Sequence, residues 1–443
     1  MTAIDQLKTA LTGEVITPVD GSKYEAALAR PWSQLCWTPA AGYVSIKNVQ
    51  ELADALAIIN SADKAGIVLD IGQLHSKELR PDGTARVGSG NTWGEVYAWL
   101  EEQNRSAIGG RDPQVGLGGF LLGGGMGALP NLHGLGADGV KNFEVLLADG
   151  PLVNANGAEN TDLYRALKGG GSNFGIVTRF DLETHPLIKV QYTINLYKPD
   201  DYIRIIEATI KVQEAMEQDA KIGLFTHFNQ GFVAVGMIYA DTPVDRPPAF
   251  ESFDKLDSFM MAVAPTTNGT LLSLAQAMSH EQAPMKRTIR TMTTKVSQEL
   301  YVGVYKAWMD ICKWLPAGCV LHFTIQPMGH AGVRAGKVLG ENIMGLESTP
   351  QCLFTCEWPG EGGDDESAQK AVDAIAERVQ RLAKERELLL PYLCMTFATA
   401  SQKVLGSYGD DNLKRMRHVA AKYDPEGVFQ ELQHNGFLLR NSV

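Results

Sequence analysis

Nineteen residues, from Gly109 to Gly127, constrain this chain more than any other stretch, because nine of them are glycine. Glycine admits positive φ and lets a backbone approach a ligand closely, at an entropic cost that ordinary folding does not recover. Such a concentration points to a backbone cradle for phosphate or a flat cofactor. The alternative reading is a set of tight turns with no ligand. Two well-known cradles are ruled out by spacing. A dinucleotide site needs a strand, then Gly-x-Gly-x-x-Gly, then a helix. Here Arg111, Asp112 and Pro113 do not form a strand, and Gly119 follows Gly118 directly. No Gly-Lys-Ser/Thr follows, so a Walker loop fails too.

Helix and strand signals surround the run. Asn48 with Glu51, and Thr92 with Glu95, are capping-box patterns that predict helices to about Ile59 and Gln103. Strands are predicted near 66–71, 84–90, 143–148 and 176–182, with a short helix near 162–168. After Pro186 the character changes to longer strands and helices. Helices are expected near 202–218, 296–315 and 366–388, a hairpin at 222–228 and 232–239, and strands at 320–326 and 353–357. A last helix starts near Asp410 and ends at Tyr423-Asp424-Pro425. The fold class is therefore α+β.

At 443 residues the chain exceeds what one core normally serves. The change of character at Pro186 marks the start of a second part. A formal charge of −11 excludes a nucleic-acid footprint. No apolar run has the length of a membrane span, and the polar N-terminus lacks a secretory pattern, so a cytoplasmic protein is expected. Six scattered cysteines give no zinc spacing and read as buried thiols, with no metal expected.

Several motifs occur together and in order: Val87-Gly88-Ser89-Gly90, Gly109-Gly110-Arg111, Val115-Gly116-Leu117-Gly118-Gly119, Leu122-Gly123-Gly124-Gly125, Gly134-Leu135-Gly136-Ala137-Asp138, Gly169-Gly170-Gly171-Ser172-Asn173-Phe174-Gly175-Ile176-Val177 and Tyr423-Asp424-Pro425. With these the chain resembles, over nearly its whole length, the oxygen-dependent FAD-linked oxidases. These are the berberine-bridge-enzyme-like members of the vanillyl-alcohol-oxidase group, which carry a PCMH-type FAD-binding domain of two α/β subdomains. The resemblance implies that Gly110, Arg111, Val115, Gly116, Gly118, Gly119 and Gly123 to Gly125 (Gly124 among them) surround FAD. It also implies that backbone at Ile176 and Val177 meets the adenine or ribose end, and that Asn412 belongs to the cofactor region. Residues 1–188 would then be the FAD-binding part, and 189–400, with an antiparallel sheet, the substrate-binding part that covers the flavin ring with a small-molecule substrate between. Residues 401–443 would return to the FAD-binding part.

The chain departs from the family at three places. The loop of form Arg-x-Gly-Gly-His, whose histidine often bonds the flavin, is missing between Ser61 and Gly66, together with a strand that would flank it. Asp112 stands where some members have a second anchoring cysteine. Leu393-Cys394-Met395-Thr396-Phe397 replaces a late Tyr-Met-Asn-Tyr segment. FAD would then be held non-covalently.

Flavin oxidases need a base beside the substrate. Alternation sets His322, Thr324 and Gln326 on one strand face, and Phe225 with His227 on one face of another. His322, Glu357 and Tyr392 are the acid–base candidates. The expected activity is oxidation of an apolar small molecule of specialised (secondary) metabolism, with hydride passing to flavin and electrons to O2. A flavin-free descendant catalysing acid–base isomerisation or cyclisation is the alternative. A catalytically inactive binding protein, or a misread gene, is the third.

Overall fold

Asn48 begins the first long helix through its side chain, which accepts the Glu51 N–H at 3.0 Å. The helix runs Val49–Ser61 and buries Leu52, Ala55 and Leu56 on one stripe. It is the crossover between two parallel strands, Gly42–Ser45 and Ile67–Asp70, which pair from Gly42 opposite Ile67 to Ser45 opposite Asp70. Strand Val15–Ile16 completes this three-stranded sheet. In the computed structural model, residues 2–62, 66–279, 283–347, 351–358 and 363–442 are described, with 351–358 as backbone path alone. The junction from Asp63 to Ala65, where the histidine-bearing loop would enter, lies outside them. Among the described residues no strand stands between Gly42–Ser45 and Ile67–Asp70.

A five-stranded sheet follows, in the order Lys77–Leu79, Ala85–Gly88, Ile176–Leu182, Val140–Leu146, Leu152–Asn156. Helix Trp93–Glu102 starts at the expected Thr92 and Glu95 box. Its Trp93 is completely buried and sits edge-on to Phe120 at 5.4 Å between centroids. The packing of this indole controls the start of the glycine run, as described below.

The later part is built on an eight-stranded sheet. Its order is Phe259–Thr270, Lys189–Tyr197, Val233–Tyr239, Ile222–Phe228, Val320–Gln326, Gln351–Trp358, Lys286–Thr294, Leu389–Leu390. One face presents Leu224, Val235, Met237, Leu321, Phe323 and Ile325 to helices Tyr202–Met216, Gln298–Cys312 and Asp365–Glu385. That face makes a dry core in which Trp308 and Phe323 meet edge-on at 5.5 Å. The other face turns toward the glycine-rich half. At Gly223 a methyl group would reach the Ala128 carbonyl oxygen at 2.3 Å, so the two halves touch there with no room for a side chain.

The C-terminal helix Asp410–Tyr423 packs back on the first half. Tyr423 donates its hydroxyl to Asp162 at 2.8 Å, and the Asn173 amide holds the Phe437 carbonyl at 2.9 Å. Among the described residues no helix is long and apolar enough to cross a membrane.

Candidate active site

The glycine run separates into two kinds of glycine. At Gly109, Gly110, Gly123, Gly124 and Gly125 the protein itself occupies the space a side chain would need. A methyl on Gly109 would strike the Trp93 ring at 2.1 Å, one on Gly123 would meet Thr396 at 2.8 Å, and one on Gly124 would meet Met344 Sδ at 2.5 Å. Gly125 adopts φ +76 with Phe120 only 2.6 Å from the would-be methyl. At Gly116, Gly118 and Gly119 the same test finds nothing within 4 Å. These three open glycines stand at the start of the short helix Leu117–Leu122, which has no side-chain cap. The Leu117 N–H donates to the Asn91 carbonyl and the Val115 N–H to the Asp112 carbonyl, whereas those of Gly118 and Gly119 find no acceptor among the described residues.

Open space in front of unpaired amides is what a diphosphate requires. The residues present therefore fit FAD at Gly116, Gly118 and Gly119, which would hold its diphosphate through backbone N–H groups. Strand Ile176–Leu182 offers a second backbone edge. Its ladder with Ala85–Gly88 ends at Gly88 opposite Arg179, and the Ser89 N–H then donates to Thr178. Ile176 and Val177 pair with Leu146 and Val145 on the far side alone. Asn412 is on the C-terminal helix Asp410–Tyr423. It donates to the Tyr408 carbonyl at 3.0 Å and lines a polar cavity of about 110 Å³ with Asp138, Arg165, Lys337 and Asn342.

Arg111 leaves the glycine run toward the large sheet. Its guanidinium carbon lies 5.9 Å from the ring centroids of both Phe225 and Phe397. No hydrogen bond or carboxylate engages it among the described residues, and burial pulls it down to about 10. The neighbouring Asp112 is turned away, accepting the Gln114 N–H at 2.8 Å.

The sheet face beside Phe225 is unusually rich in unused polar atoms. Strand register sets His227 opposite Thr324, and the Thr291 and Thr293 positions lie two strands further across. His227 Nδ1 and Thr324 Oγ1 are 2.9 Å apart. His322 Nδ1, Gln326 Oε1, Thr291 Oγ1 and Thr293 Oγ1 are buried without a hydrogen-bond partner among the described residues. Buried polar atoms are nearly always paired, so four orphans on one face need a reason, and a substrate supplies one. Burial holds the His322 imidazole down to about 4, so it is neutral at pH 7.

The other two acid–base candidates sit differently. Tyr392 is buried, its hydroxyl against Met344 Sδ at 3.6 Å and its ring stacked on Tyr408 at 5.9 Å. Burial pushes its phenol well above its usual value. Glu357 pairs in register with Val320 and Arg287, and its side chain lies outside the described residues. No hydrogen bond or ring contact joins His322 to Tyr392 among the described residues. Sequence reasoning did not single out Thr291 and Thr293. Their signal was the alternation in Thr291-Met292-Thr293, which puts threonine on one face and methionine on the other. Among the described residues no group of three or more His, Cys, Asp or Glu could hold a metal ion.

Comparison with known proteins finds FAD-dependent relatives. The family described as FAD binding domain matches residues 57–156. An FAD-dependent monooxygenase of Arthrobotrys oligospora is 34% identical, the alignment covering 97% of this chain and 88% of that protein. The FAD-dependent monooxygenase macF of Penicillium terrestre is 30% identical, covering 94% of this chain and 85% of its own length. Among solved structures, 6-hydroxy-D-nicotine oxidase from Arthrobacter nicotinovorans superposes with a TM-score of 0.80 at 18% identity, over 96% of this chain and 97% of that one.

Proposed function

Since the chain belongs to the FAD-linked oxidoreductases of the berberine-bridge-like, vanillyl-alcohol-oxidase group, with FAD as its cofactor, we propose that it oxidises a largely apolar small molecule of secondary metabolism and passes the electrons to O2. The observation that carries this reading is the orphaned, neutral His322 on the sheet face that turns toward the glycine-rich half. Bound FAD supplies a hydride acceptor. The chain's own residues do the rest. The amides of Gly116, Gly118 and Gly119 hold the diphosphate. Phe225 and Phe397 form apolar walls around the substrate. His322 takes the proton of a substrate O–H at Nδ1 while the hydrogen of the adjacent C–H bond is lost as hydride, and Thr324 orients the neighbouring His227.

Tyr392 takes no proton in this reading, because its hydroxyl is directed at Met344. Flavin-free isomerisation or cyclisation is not favoured, since the open amides of the cradle are retained. The visible spectrum of the purified protein, followed by anaerobic mixing with candidate substrates, tests the proposal. A yellow protein that bleaches on mixing and recovers its colour with air supports it. A colourless protein that cannot be reconstituted with FAD, yet still converts substrate without air, overturns it.

A further inference from the structure

The proposed reaction leaves Arg111 unused. A guanidinium is always charged at neutral pH, and this one is partly exposed with no carboxylate paired to it among the described residues. Contacts at 5.9 Å to two aromatic rings supply no full counter-charge. An anion that enters the cleft would. The FAD diphosphate is already provided for at Gly116 to Gly119, whereas Arg111 meets Phe225, a residue of the opposite sheet. Continuing the register from Thr226 opposite Ile325 puts Phe225 beside Gln326, so the guanidinium faces the orphaned side of that sheet.

We infer that Arg111 is a specificity-determining residue that receives an anionic oxygen of the substrate, and that the substrate is a planar conjugated molecule bearing an acidic enol or phenol. The inference rests on reading this cleft as the substrate site of an oxidase. An ionised enol presents a delocalised oxygen anion in the plane of a ring. The ring lies between Phe225 and Phe397, and the oxygen takes a charge-assisted pair from the guanidinium. Thr291, Thr293, Gln326 and His322 then meet the few other polar atoms of an otherwise apolar molecule. A neutral substrate would leave the guanidinium unpaired, which makes Arg111 a filter against the O-alkylated form as well as an anchor for the free one.

Equilibrium dialysis of the FAD-loaded protein against 4-hydroxy-6-methyl-2-pyrone and its 4-methoxy ether tests the assignment. The wild-type protein is expected to prefer the enol at least tenfold, with the preference shrinking as salt is raised. R111Q should bind the two probes within twofold of each other while keeping its full flavin content. R111K, which keeps the charge and protects the fold, should retain an intermediate preference. Equal binding of both probes by the wild type overturns the assignment, and so does an undiminished preference in R111Q. Loss of flavin in R111Q without loss of preference assigns Arg111 to the cofactor and likewise overturns it. A wild-type protein that carries flavin but shows no preference leaves the oxidase reading standing. One that takes up no flavin fails that reading, and its enol preference still decides the role of Arg111.

Discussion

The imidazoles of His227 and His322 lie 4.6 Å apart between centroids, inclined at 57°, yet only one of the two Nδ1 atoms is engaged. His227 Nδ1 is held by Thr324 at 2.9 Å, whereas His322 Nδ1 is buried with no partner among the described residues. The pair thus consists of one ring fixed by the sheet and one with a free nitrogen.

That asymmetry sets a pH dependence. Desolvation lowers His322 from 6.5 to about 4, so its basic form persists throughout the neutral range. The acid limb of kcat/KM should fall near pH 4, well below an ordinary imidazole. H322Q should lower kcat by about 10²–10⁴ and remove that limb. An H322Q enzyme with the wild-type limb would locate the base elsewhere.

The two kinds of glycine should separate in mutagenesis. G118A and G119A enter open space inside a helix and should leave stability unchanged or raise it by about 0.5–1 kcal/mol. Their methyl groups stand where the diphosphate approaches, so flavin content should drop. G125A instead forces a side chain into positive φ against Phe120 and should cost about 1–3 kcal/mol or more. Thermal unfolding and absorbance of the same samples read both effects. Equal behaviour of G118A and G125A would show that the open glycines are not a cradle.

Much of this was legible in the sequence because local signals and tertiary packing agree. The box at Thr92 and Glu95 formed as written, and the strand Val320–Gln326 spans the expected residues. What the sequence concealed depended on distant partners. Nothing near Gly124 announces Met344 as the side chain that excludes a methyl group, and nothing near Arg111 announces Phe225 or Phe397. The edge strand Phe259–Thr270 was also hidden. Its pairing with Lys189–Tyr197 shifts register three times, and Met260, Met261 and Val263 are all exposed, so no clean alternation survives.

A stacked histidine pair should make stability fall in mild acid. His133 and His185 lie 3.6 Å apart between centroids at 9°, and burial, with His185 second, lowers His133 from 6.5 to about 4. The folded state therefore resists protonation. Between pH 6.5 and 4 the unfolded chain binds more protons, so stability decreases as the pH drops through that window and levels off below it. Urea midpoints measured from pH 7 to pH 4 should decline, and H133F should flatten part of the slope. An unchanged slope in H133F would remove the pair from the account.

Asn173 should be the most sensitive single tie between the C-terminal segment and the rest of the molecule. It is fully buried, and its amide donates to the carbonyls of Gly170 at 2.7 Å and Phe437 at 2.9 Å. Its oxygen accepts from the Leu439 N–H at 3.0 Å and from Gln430 at 2.9 Å. N173A leaves these groups facing a void, and each unsatisfied buried group costs about 1–3 kcal/mol. A total loss of about 3 kcal/mol or more is expected, with faster amide exchange at Leu439. Y423F removes one hydroxyl from partly exposed partners, Asn160 and Asp162, and should cost about 1 kcal/mol. If N173A proved no more damaging than Y423F, the C-terminal segment would have to be held by its apolar contacts, chiefly Leu438 and Leu439, rather than by this amide.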